Sequence, residues 1–136
     1  MPTPLLSDPL LQSRAGTLQT LLNSGHTLRL FQNAITPTPA TPLSSFTECT
    51  FTGYASISLA SAFGTPTQVT SGQWQTQAAP FTFSCTGGSA QTIYGWYVDD
   101  GTNMVMCQLL DSPFTISSGL QFVLQVAPQE ISQSIL

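Results

Sequence analysis

Alternating apolar and polar residues mark this chain as mainly β, an antiparallel, jelly-roll-like β-sandwich of about eight strands with one N-terminal helix. Three observations carry that reading. Gln91 to Leu109 (QTIYGWYVDDGTNMVMCQL) is two runs rich in aromatic, β-branched and other apolar residues around a polar Asp99-Asp100-Gly101 turn, the strongest hairpin signal in the chain. Short alternating segments recur between clusters of Gly, Pro and Ser. Leucines at helical spacing occur in one place only, Pro9 to Leu22.

In chain order, Met1 to Ser7 carries Pro2 and Pro4 and reads as an extended arm. Asp8 supplies a capping carboxylate before Pro9, and Gly25 a stop; Leu10, Leu11, Ala15, Leu18, Leu21 and Leu22 fall near one stripe. His26 to Asn33 is the first strand. Ala34 to Ser45 contains Pro37, Pro39 and Pro42 and is an extended loop, because proline fixes φ and donates no ladder hydrogen bond. Phe46 to Phe51 suits a short strand or turn, and Tyr54 to Leu59 a strand. Ala60 to Gly72 reads as a connection, Gln73 to Ala78 and Pro80 to Cys85 as strands, and Thr86 to Ala90 as the turn feeding the central hairpin. In that hairpin Thr92, Tyr94, Trp96 and Val98 share one face and Ile93, Gly95 and Tyr97 the other, so both faces carry large apolar groups. Asp111 to Pro113 breaks the pattern, Leu120 to Val126 is the last strand, and Pro128 onward is polar. The implied division is an arm and helix over 1–25, a β-sandwich over 26–127 and a C-terminal tail over 128–136.

Charge is the outlier of the composition. Asp, Glu, Lys and Arg make up 6% of the 136 residues, against roughly 25% in an ordinary soluble domain. The only basic side chains other than His26 are Arg14 and Arg29. Ser, Thr, Gln and Asn hydrate such a surface but give copies little long-range repulsion, so it is suited to lie against other protein. Two arginines against six carboxylates cannot neutralise a run of phosphates, so no nucleic-acid partner is expected. No apolar run approaches bilayer length, and no secretory-type start is present, so no membrane partner is expected either.

Residues that suggest chemistry have plainer readings. Cys49, Cys85 and Cys107 lack paired C-x-x-C spacing and have only His26 to join them, so no metal or cofactor is expected, and they read as small buried hydrophobes. No G-x-S-x-G elbow accompanies His26, so no catalytic residue is assigned and no enzyme is expected. Asp99 and Asp100 are better explained by the turn than as paired catalytic carboxylates or a calcium loop. Trp74, Tyr94, Trp96 and Tyr97 are either core aromatics or a sugar-stacking platform.

Taken together, LRLFQN at Leu28, FTE through TGY at Phe46 to Tyr54, TIYGWYV at Thr92 to Val98 and the closing LLDSPFTISSGLQFVLQV resemble small β-sandwich decoration, or cement, proteins of tailed bacteriophage capsids. The resemblance spans about Leu28 to Val126 and rests on patterns of fold. It implies a non-catalytic virion protein on the capsid surface, assembled in the host cytoplasm, with the major capsid protein as partner and a homotrimer as its form. The alternative is a carbohydrate- or receptor-binding module of a phage tail or spike, which requires an accessible Trp74 or Trp96. A small hydrolase requires His26 beside a nucleophile.

Overall fold

The computed structural model describes residues 7–126 and 129–131. The chain is mainly β, a set of antiparallel sheets of the β-sandwich class with one N-terminal helix, as the alternation predicts. Its contacts divide it into two units that are not contiguous in sequence.

The first unit comprises the described residues of Met1–Ser24, Ala60–Pro80 and Gln125–Leu136. Its helix, α1 (Asp8–Leu22), is capped by Ser7, whose hydroxyl accepts from the Leu10 amide at 3.4 Å. The cap is therefore one residue earlier than the sequence suggested. Asp8, at the first helical position, instead accepts from the Gly72 amide at 2.8 Å and from Gln68 at 3.3 Å. That ties the helix start to a hairpin of β3 (Thr67–Thr70) and β4 (Gln73–Gln75), on which α1 packs. β3 falls where a connection was expected. The Ser71-Gly72 pair between Thr/Val and Gln/Trp runs is its signature, with Gly72 at φ 83°. All four β3 residues are exposed, so burial alternation gave no hint of it. β9 (Gln129–Ile131) pairs with the other side of β4, a strand where a polar tail was expected; the other residues of the expected tail, and the arm over 1–6, lie outside the described residues. Leu11, Ala15 and Leu22 of α1 are buried, whereas Leu10 and Leu21 are 46% and 55% exposed, so only part of the leucine stripe faces inward.

The second unit comprises Gly25–Leu59 and Phe81–Leu124. Its main sheet has the order β2 (Ile57–Ser58), β1 (Thr27–Phe31), β6 (Gln91–Asp99), β7 (Met104–Ile116), all antiparallel. A second pair, β5 (Phe81–Ser84) with β8 (Gln121–Leu124), lies over it. The ring contact of Phe114 in β7 with Phe122 in β8 (5.5 Å) links this pair to the main sheet; Phe122 continues to its cross-strand partner Phe83 (6.5 Å), and Phe83 to Tyr54 (5.9 Å) in the segment before β2. On another side, Phe46 stacks on Tyr97 at 4.4 Å and meets Phe31 edge-on at 5.2 Å. β6 is consequently buried on both faces, as its residue types predict.

Two expected features of this unit change. Of Tyr54 to Leu59 only Ile57–Ser58 forms a strand, and Phe46 to Phe51 contributes a single bridge, Phe31 to Glu48. β7 continues through Asp111 to Pro113, where a break was expected. Pro113 is tolerated because β7 is at the sheet's edge and the register shifts there: Ile93 faces Phe114 while Gly95 faces Leu109.

Candidate functional site

Three of the chain's few charged residues converge in the second unit. Arg29 points from β1 toward the end of β6, where its Nε donates to Asp99 Oδ2 at 2.7 Å and its Nη1 to both Glu48 oxygens at 3.1 Å. Tyr54 donates its hydroxyl to Glu48 at 2.6 Å and accepts from the Leu30 amide at 3.2 Å. Asp99, 4% exposed, also accepts from the Gly101 amide at 2.9 Å. Burial works to lower the Arg29 pKa, but the hydrogen bonds to Asp99 and Glu48 outweigh it and the guanidinium is held more firmly protonated. Burial, then the hydrogen bond to Glu48, pushes the Tyr54 hydroxyl up, the Leu30 amide working against them. Burial, reinforced by Glu48, pushes the Cys49 thiol up to about 12. These groups stay protonated at neutral pH. The network clamps β1, β6 and the Glu48 segment together.

The other sequence candidates separate. Asp100 accepts from the Asn103 and Thr102 amides at 2.7 and 2.9 Å, which lowers its pKa and accounts for it as a turn residue. His26 precedes β1, and its Nδ1 has no hydrogen-bond partner among the described residues. Cys49 and Cys85 are free and buried, Cys107 free and half-buried. Among the described residues no group of three or more His, Cys, Asp or Glu is placed to hold a metal ion. Trp96 and Tyr97 are 6% and 5% exposed and project from opposite faces of β6, so they make no shared stacking platform. Trp74 is half-buried in the first unit.

A surface feature that the sequence did not announce lies where the proline loop meets β7. Asn33 fixes both ends of that loop, donating to the Ser45 carbonyl at 2.8 Å and accepting from the Thr47 amide at 2.8 Å. Ile35 and Leu43 pack on the Phe31, Phe46 and Tyr97 cluster. Within the loop the Thr38 amide donates to the Thr41 hydroxyl at 2.7 Å and the Thr41 amide to the Thr38 carbonyl at 3.0 Å, closing a turn around Pro39 and Ala40. Pro37, Thr38 and Pro39 form one wall of an open groove of about 420 Å³, and Met104, Val105, Met106 and Cys107 form the other. Met104 and Cys107 also pack against the aromatic cluster. Among the described residues no charged side chain lines the groove. The TPTP run and the MVMC run were both visible in the sequence, 65 residues apart; only the ladder that places β7 beside β6 brings them together. No family model, curated protein or solved structure matches this chain.

Proposed function

We propose that this chain is a structural virion protein of the capsid decoration type, a non-catalytic module that binds the outer surface of a phage shell, with the major capsid protein as partner and a cyclic homo-oligomer, most simply a trimer, as its form. The observation that carries the reading is that both units expose apolar side chains on a chain with very few charges. Leu10, Leu21, Val69, Val105, Leu109, Leu120 and Val123 are all at least 39% exposed, while Arg29, Glu48 and Asp99 are engaged with one another. A stable interface buries on the order of 1,600 Å² in total. Uncharged contacts of that size lose little to screening by salt, and a shell repeats them at many sites. The burial of Trp96 counts against the sugar-binding alternative.

The test is to mix the purified protein with undecorated heads, pellet them, and measure bound protein at low and high salt. Saturation at a fixed ratio that persists at high salt supports the reading; failure to bind heads at either salt rejects it.

A further inference from the structure

We propose that the free edge of β7 and the groove beside it receive the N-terminal arm, Met1 to Leu6, of a second copy of this chain as an added strand. β7 ends its sheet and, among the described residues, pairs with β6 alone. Along its outer side every second residue directs its N–H and C=O away from β6. Natural edges are commonly protected by lysine, proline or bulges. Here register shifts interrupt the ladder opposite Val98 to Asp99 and opposite Ile93 to Gly95, leaving Met106 to Leu109 as a regular window with neither lysine nor proline. The groove flanks that window. A strand laid on this edge therefore places alternate side chains over the wall of Pro37, Thr38 and Pro39, so that backbone bonds supply attachment and the groove supplies selection.

The occupant must be short, extended and uncharged, and it must stop the sheet from growing further. MPTPLL meets each condition. It has no charged side chain, and extended residues advance about 3.3 Å each, so the segment covers the four-residue window with length to spare. Pro2 and Pro4 are two apart, so in an added strand both missing donors fall on one edge. With that edge outward, Thr3 and Leu5 bond β7 and the prolines close the new edge. With it inward, two ladder bonds are lost, so the sequence selects one register. Leu5 and Leu6 project to opposite faces, and one of them enters the groove. An arm passed from each copy to the next is a heterologous contact, which forms a ring where the rotation between copies closes, and the chain's low charge leaves little repulsion between copies. The inference rests on the edge, the groove and the arm, independently of the capsid reading.

The test uses the full chain with Leu5→Cys or Leu6→Cys, read against Cys107 in the groove. Mild oxidation followed by a non-reducing gel is expected to give covalent dimers and larger species for one of the two variants. They should disappear when Cys107→Ser is added and be absent from the unmodified chain. No cross-link from either variant, a cross-link confined to single chains, or cross-linking from Ile135→Cys in their place overturns the proposal. Head binding is measured separately on the same variants, so loss of one property is distinguishable from loss of the other.

Discussion

β6 and β7 are two halves of one hairpin and nearly equal in apolar content, yet they end in opposite environments. β6 lies between β1 and β7, and from Gly95 to Asp99 every residue is buried. β7 is longer, and Ile116 is its only fully buried residue. The difference is one of position: a central strand has both backbone edges paired and both faces covered, whereas an edge strand keeps half its backbone open. The same apolar side chain is core material in the first and exposed or half-exposed in the second.

Substitutions sharpen that contrast. Phe31→Ala, which removes the ring that the stacked Phe46 and Tyr97 both pack against, is expected to cost about 3–5 kcal/mol in denaturant unfolding. Gly95→Ala sets a Cβ against the Gln108 carbonyl oxygen and the Phe31 ring. Because one obstacle is backbone, the expected cost is about 3 kcal/mol, at the upper end of overpacking. Asp99→Asn leaves the buried end of β6 with an imperfect partner for Arg29, and a loss of about 1–3 kcal/mol is expected. A Gly95→Ala variant as stable as the parent would break the contrast at its centre.

Alkaline pH acts on β6 in a predictable direction. Burial pushes the Tyr97 hydroxyl up to about 12, above the unfolded value near 10. Between those values the unfolded chain gives up its proton first, so the Tyr97 contribution is complete below about pH 10 and fades toward pH 12. Thermal melts are expected to fall over that window, and Tyr97→Phe is expected to flatten the fall. The smallest effect belongs to the edge: Leu109→Thr, at a site 40% exposed, is expected to change stability by no more than about 0.5 kcal/mol while weakening self-association seen by sedimentation.

The sequence revealed most where local and global demands agree. The 91–109 hairpin, the helix span and the β5 and β8 strands follow from alternation, proline and turn residues. β3 escaped because its four exposed residues carry no burial pattern, and the Ser71-Gly72 turn was its only mark. Proline at 113 suggested a break because sequence alone does not say which strand is at an edge. The Arg29, Glu48, Asp99 and Tyr54 network joins positions up to 70 residues apart, and the groove likewise needs the ladder before its walls meet. Asp99 and Asp100 looked alike as neighbours in a turn, yet one is buried against Arg29 and the other exposed.

The central claim is that β7 is an edge waiting for a strand. Hydrogen exchange of Met104–Leu110 against Gln91–Asp99, followed as protein concentration rises, tests it most directly. The account expects β6 amides to be strongly protected throughout, and the outward amides of β7 to pass from fast to slow exchange as copies associate. Exchange in β7 that stays fast while sedimentation shows association, or is already slow in dilute monomer, would contradict it.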